Sequence, residues 1–240
     1  MCIEGLVPGN LSERGFFMEK TYPRQGCGAI KDITGCRFSI SVMSDNFIPV
    51  ILGAIKNVDT KNVWSATDLL STVYRGKRIH VMDCLKTCFV QVNDGKTHIT
   101  MEAAISNDCP GDTEDDSDPA ECDAAVQEAA CFQGSPLLCN NQKKFDVLCK
   151  ISFYPLGIAD YMDHITFVVK LASDRGLCCI TALPSRCPGT RRLSGQSPIL
   201  KGDVNEIFDY FDAILTYAEQ NISHYVLQVT LSVNSPSAAG

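Results

Sequence analysis

The side chains best suited to hold a small polar molecule recur in this chain at near-constant separations. Ser71 has a counterpart in Ser197, Arg75 in Lys201, Gly76 in Gly202 and Asp83 in Asp209, each 126 positions on; Thr67 has one in Thr181, 114 positions on. Gly76 and Gly202 read as strand ends, and Asp83 and Asp209 as helix-surface residues. Thr67, Asp68 and Ser71 are short donors and acceptors, and on rigid elements they can fix the orientation of a ligand. The usual enzyme signatures are missing from the sequence. It has no phosphate-cradling Gly-rich loop, no His-Glu-x-x-His and no Gly-x-Ser-x-Gly. His98 and His224 occupy equivalent strand starts and read as residues that serve the fold. The thirteen Cys are odd in number, and Cys84 and Cys88 lie one helical turn apart with no second pair at metal-ligand spacing. Most therefore read as small buried hydrophobes, which leaves a single reactive thiol as their one chemical use. The acidic run Asp112 to Asp118 lacks the glycine and terminal glutamate of a calcium loop. No metal and no cofactor is expected.

Those recurring residues belong to a larger repetition. Cys36-Arg37-Phe38-Ser39-Ile40 reads again as Cys149-Lys150-Ile151-Ser152-Phe153, 113 positions later, and Thr97-His98-Ile99-Thr100-Met101 reads again as Ser223-His224-Tyr225-Val226-Leu227, 126 positions later. Units of this size are not those of a solenoid. They are two copies of one small domain, so two similar but unequal sites are expected. About a dozen residues are inserted in the second copy between Thr181 and Ser197, among them the pair Arg191-Arg192.

Each copy reads as β-α-β-β-α-β. Cys36 to Met43 alternates as a half-buried strand, with Ser44 or Asp45 as the cap of a helix whose apolar face is Phe47, Val50, Ile51, Ala54, Ile55 and Val58. Asn62 to Thr67 and Ser71 to Arg75 form a strand pair. A helix with Ile79, Met82, Leu85, Phe89 and Val92 inward follows, then a strand with Ile99, Met101, Ala103 and Ile105 on one face. In the second copy Val204, Ile207, Phe208, Phe211, Ile214, Leu215 and Ala218 form one stripe, and Asp203 with Glu206 forms a capping box. The expected fold is α+β, a tandem duplication of a ferredoxin-like βαββαβ domain. The boundaries are an N-terminal extension 1–33, repeat one 34–111, an acidic linker 112–146, repeat two 147–236 and a tail 237–240. In each copy both helices cover one sheet face. The other face carries Ser39, Ser41, His98, Thr100, Glu102 and Ser106 in the first copy, and Ser152, Tyr154, His224, Gln228, Thr230 and Ser232 in the second. A second sheet is the natural cover for such a face.

Composition narrows the classes. Of 240 residues 45% are hydrophobic and 20% charged, which is an ordinary globular balance. A net charge of -7 argues against a nucleic-acid surface, which needs clustered Lys and Arg. No apolar run approaches the roughly 20 residues of a membrane span, and no export signal is seen at the start, so the expected location is the cytoplasm with thiols reduced.

Four motifs in order resemble the YkoF-related family: Thr34-Gly35-Cys36-Arg37-Phe38-Ser39, Val63-Trp64-Ser65-Ala66-Thr67-Asp68, Ser71-Thr72-Val73-Tyr74-Arg75-Gly76 and Cys109-Pro110-Gly111-Asp112, with Asn234-Ser235-Pro236 at the end. The resemblance covers 34–112 strongly and 147–236 more loosely. It implies two ferredoxin-like repeats related to amino-acid-sensing (ACT-like) domains, a homodimer, and non-catalytic binding of thiamin through its hydroxymethylpyrimidine half in precursor salvage. It also implies ligand near the turn from first strand to first helix. That turn is Met43-Ser44-Asp45-Asn46 in the first copy and Leu156 to Asp160 in the second, which has lost the Ser and Asn. The aminopyrimidine offers an exocyclic amine donor and ring-nitrogen acceptors. Asp45 or Asp68 can take the amine, and Ser41, Thr67 or Ser71 can donate to a ring nitrogen. The candidate ligand residues are thus Ser41, Ser44, Asp45, Asn46, Thr67, Asp68 and Ser71 in the first copy. In the second they are Tyr154, Asp160, Thr181 and Ser197. Two other classes stay open: a thiol enzyme of thiamin-precursor salvage, and a ligand-sensing regulator of a partner protein.

Overall fold

The computed structural model describes residues 33–107, 143–180 and 199–236. Alternation makes the strands. In β1 (Ile33–Val42) Cys36 and Phe38 are buried while Arg37 and Ser41 are exposed. The same period runs through β4 (Ile99–Asn107), β5 (Asp146–Leu156) and β8 (His224–Val233). The shorter strands are β2 (Val63–Thr67), β3 (Thr72–Lys77), β6 (Cys178–Ile180) and β7 (Ile199–Asp203). The helices are α1 (Phe47–Lys56), α2 (Arg78–Val92), α3 (Tyr161–Asp174) and α4 (Val204–Asn221). Each half follows β-α-β-β-α-β, and the whole is α+β.

All the described strands join one antiparallel sheet in the order β2-β3-β1-β4-β8-β5-β7-β6. The two halves meet edge to edge, β4 on β8 from Ile99↔Val233 to Ser106↔Val226. Neither half's sheet covers the other's, as the bare face had suggested, because each edge strand satisfies its backbone on the partner edge instead. Asn107 and Asn234 close the junction at its two ends. The Asn107 side chain donates to Ser223 O (3.1 Å) and accepts from Tyr225 N (3.0 Å); Asn234 Nδ2 donates to Thr97 O (2.9 Å).

One apolar core lies between the sheet and the helices and runs through both halves. At the junction it is built from Met101 opposite Leu231 and Ile105 opposite Leu227, all 0% exposed. Phe89 of α2 meets Phe208 of α4 at 6.4 Å between ring centres. Arg78 also ties the two helices, pairing with Asp212 and with Glu219 at 3.0 Å. A buried Leu, Ile, Phe or Met contributes about 1.5–3 kcal/mol, whereas an exposed ion pair contributes about 0–1 kcal/mol. The apolar ladder therefore holds the halves together, and the Arg78 pairs set the helix register.

Several local expectations need correction. Asn46, not Ser44 or Asp45, is the N-cap of α1, and no side chain caps it. Phe47 is 47% exposed and Ile79 is 42% exposed, because each sits in the first turn of its helix beyond the sheet's edge of contact, while Ala54, Val58, Val81 and Leu85 are buried. Gly76 lies inside β3, paired with Thr34 and Val63, and Gly202 inside β7, paired with Val147. Packing explains both. A Cβ on Gly76 would sit 3.1 Å from Asn62 O, and one on Gly202 2.7 Å from Leu177 Cδ2. The α4 stripe and its capping box are as expected, with Asn205 N donating to Asp203 Oδ1 (2.9 Å) and Asp203 N to Glu206 Oε2 (3.1 Å). The expected acidic linker lies mostly outside the described residues, as do Thr181 and Ser197.

Candidate functional site

The hairpin joining β2 to β3 is built around one carboxylate. Asp68 Oδ1 accepts from Leu70 N (2.8 Å) and Ser71 N (2.7 Å), while Asp68 N donates to Ser71 O (2.9 Å). This is an Asx-type turn, in which a short acidic side chain replaces water on the loop amides. Arg37 reaches over from β1. Its Nη1 pairs with Asp68 Oδ2 and donates to Ser71 Oγ at 2.6 Å. The Leu70 amide, the Arg37 guanidinium and Ser71 together hold the Asp68 carboxyl well below the usual carboxylate range. Leu69 and Leu70 form the tip of this hairpin and are fully open to solvent.

Antiparallel pairing places three connections at one end of the sheet: the β1–α1 turn, the β2–β3 hairpin and the start of β4. In that turn Ser44, Asp45 and Asn46 are all exposed, and Ser44 Oγ accepts from Asn46 N at 3.2 Å. Met43 N donates to His98 O (3.0 Å), which ties the turn to β4. The His98 ring in turn meets Ser232 Oγ at 3.1 Å, across the junction of the halves. The topology brings Ser44, Asp45, Asn46, Asp68 and Ser71, all candidates from the sequence, to this end.

Two expectations about this set change. The Asp68 carboxylate, a suggested acceptor for a ligand amine, is already occupied by the two loop amides, Arg37 and Ser71. The Thr67 hydroxyl pairs with Thr72 Oγ1 at 3.0 Å, and alternation puts both on the helix side of the hairpin, away from Arg37. Sequence reasoning did not single out Arg37, and it put Glu102 on the free face without naming it as a ligand residue. On the sheet face away from the described helices Arg37 stands opposite Ala104, Ser39 opposite Glu102 and Ser41 opposite Thr100. Arg37, Ser41 and Glu102 are exposed, and no bulky neighbour from β4 walls them off. This row combines a cation, two hydroxyls and a carboxylate. The signal that could have found it is a charge held within an alternating strand in both copies, Arg37 and then Lys150.

The turn after β5 lies at the opposite end of the sheet from the turn after β1, because β4 and β8 run antiparallel, while Lys150 falls in the cross-strand row of Glu102 and Ser152 in that of Arg37. Lys150 stands opposite Thr230, Ser152 opposite Gln228 and Tyr154 opposite Val226, with Tyr154 47% exposed. Where the first half has Glu102, the second has Gln228, which is 126 positions on. Asp160 is the N-cap of α3, and its Oδ2 lies 3.5 Å from His164 Nε2. His164 Nδ1 lies 2.8 Å from the Tyr217 hydroxyl, and the Tyr217 ring stacks on Phe167 at 3.9 Å. Asp160 is thus drawn to the helix side and stands apart from the Lys150 row.

Chemistry by thiolate finds no support among the described thiols. Cys36, Cys84, Cys88 and Cys149 are free and buried. Burial pushes Cys84 and Cys88 up to about 12 and raises Cys36 and Cys149 further. A thiol held protonated is a poor nucleophile and a poor metal ligand. Among the described residues no cluster of His, Cys, Asp and Glu is arranged to hold a metal ion, and no helix is long and apolar enough to cross a membrane.

The model of the YkoF-related family matches residues 33–112, 146–187 and 190–238 of this chain. A relative in Bacillus subtilis (strain 168), named "Putative HMP/thiamine-binding protein YkoF", is 35% identical over 211 residues, covering 88% of this chain and 94% of that protein.

Proposed function

From the premise that this chain belongs to the YkoF-related family, we propose that it binds thiamin or its hydroxymethylpyrimidine half without transforming it. The name of the Bacillus relative supports this reading, HMP being hydroxymethylpyrimidine. The observation that carries it is the row Arg37, Ser39, Ser41 and Glu102 on the sheet face away from the described helices, beside a hairpin held by Asp68. Glu102 accepts from the exocyclic amine of the pyrimidine. Ser39 or Ser41 donates to a ring nitrogen. Ser71 and the Ser44–Asn46 turn form the rim at the same end. Asp68 acts through Arg37 and Ser71 by holding them in place. In this reading each half is a copy of one ferredoxin-like domain, and each copy has a site. The chain works in salvage of the thiamin precursor, in the cytoplasm, as a homodimer. Its second site is the row Lys150, Ser152, Tyr154 and Gln228. That site is weaker, because an amide replaces the carboxylate that takes the amine.

The test is titration calorimetry with competition. Hydroxymethylpyrimidine should displace thiamin, and the thiazole half alone should not; the reverse would overturn the reading. A charge-assisted hydrogen bond contributes about 1.5–3 kcal/mol, so Glu102→Gln should weaken the tighter phase by about 10- to 150-fold. The same exchange made in reverse, Gln228→Glu, should tighten the weaker phase. Formation of a product from thiamin during these titrations would favour the thiol enzyme instead.

A further inference from the structure

We propose that Arg37 and Lys150 receive an anionic group, so that the preferred ligand is a phosphate monoester of hydroxymethylpyrimidine and not the free alcohol. This rests on the pyrimidine reading above and names the ligand class within it.

Arg37 is committed on one side only. Nη1 makes both of its bonds, to Asp68 and Ser71, while Nη2 and Nε make no hydrogen bond among the described residues. The side chain is 53% exposed. A guanidinium has five donors in a planar fork, and an edge left open matches two oxygens of a phosphate. Asp68 and the Ser71 hydroxyl fix that edge against the sheet, so little side-chain freedom is left to lose on binding. The surroundings leave room for the anion. Ala104 stands opposite Arg37 on β4, and Ser39 is next along the same face.

The second half supplies an independent instance. Lys150 occupies the corresponding place on β5, opposite Thr230, with Ser152 next along the face. It is exposed and makes no hydrogen bond or ion pair among the described residues. A chain of net charge -7 thus puts a cation at both equivalent points of an otherwise small and polar surface. The bonds to Asp68 and Ser71 use one edge of Arg37, and among the described residues no such partner accounts for Lys150. A ligand carrying negative charge next to its pyrimidine does explain it. The pyrimidine's hydroxymethyl oxygen is the atom that bears the phosphate in such an ester, so one end of the ligand meets Glu102 and the other meets Arg37. Arg37 gives geometric selection through its fork; Lys150 gives a point charge alone.

The experiment compares hydroxymethylpyrimidine with its monophosphate by calorimetry on the full chain, at low and high salt. The monophosphate should bind at least about tenfold more tightly, and the advantage should shrink as salt screens it. Arg37→Gln should remove the advantage at the tighter site and Lys150→Met at the weaker, each weakening the ester by at least about tenfold more than the free alcohol. Arg37→Lys should keep part of it. Inorganic phosphate should compete with the ester and not with the alcohol. Equal affinity for ester and alcohol in the unaltered protein would overturn the inference and leave the pyrimidine reading standing. So would an ester preference that survives both substitutions, or a substitution that weakens both ligands equally. Binding of neither ligand would overturn the pyrimidine reading as well.

Discussion

Asp68 and Asp94 do the same local work in two different loops. Asp94 Oδ1 accepts from Lys96 N (2.8 Å) and Thr97 N (2.7 Å), and its Oδ2 from Thr97 Oγ1 (2.7 Å). The Thr97 amide and hydroxyl and the Lys96 amide hold the Asp94 carboxyl at about 2, from an ordinary value of 3.8. Both carboxyls are depressed in the folded chain, so the stability they contribute is fully present above about pH 4 and is lost as pH falls toward 2. Hydrogen exchange at the Leu70, Ser71, Lys96 and Thr97 amides should therefore accelerate, relative to the rest of the sheet, as pH falls from about 4 to 2. In Asp68→Asn the Leu70 and Ser71 amides should lose that pH dependence while Lys96 and Thr97 keep it. Unchanged behaviour at Leu70 would show that the carboxylate does not hold the loop. The sequence showed Asp68 as a polar residue at a turn, yet not what it binds. An acidic residue beside a hairpin looks the same whether it faces a ligand or its own loop amides. Arg37 was legible as an outward residue of β1, but its reach to Asp68 depends on how β1 and β3 lie together.

Helix α4 shows how far a single element can be read and what that reading is worth. Its apolar residues recur at the helical period, and Val204, Ile207, Phe208, Phe211, Ile214, Leu215 and Ala218 are all buried. Its start is fixed by side chains that name themselves, since Asp203 and Glu206 satisfy each other's backbone amides. Asp203→Ala should cost about 1 kcal/mol, read as a shift of the denaturant midpoint at unchanged slope. A change of less than a few tenths would mean that water replaces both the cap and the carboxylate's second bond, from Phe145 N to Oδ2. Helix α1 is less legible for the same reason turned around. Its apolar residues run past the expected face to Ile48 and Leu52, and its cap position makes no side-chain bond. Tertiary packing selects Ala54 and leaves Phe47, Ile48 and Leu52 largely outside.

At the scale of the whole molecule the two halves share one sheet and one core, and this was the least legible feature of the sequence. The repeat predicted two domains, and alternation predicted which face of each strand would be buried. Both patterns are identical whether one sheet lies over the other or continues it, because edge pairing uses backbone groups that every residue carries. In the structure β4 and β8 pair from Ile99↔Val233 to Ser106↔Val226, and the core passes beneath that seam without a break. A domain boundary would instead be crossed by few contacts and a polar surface. Leu231 tests the point. It is 0% exposed and lies in register between Met101 of the first half and Cys149 of the second. Leu231→Ala should cost about 2–5 kcal/mol, since the cavity left in a strand held on both sides cannot readily collapse. If the seam couples the halves, calorimetry should show one transition moving down as a unit, with its calorimetric and van't Hoff enthalpies equal. Two transitions, only one of them moved by the substitution, would mean that the halves fold independently and that the seam is a contact between finished domains.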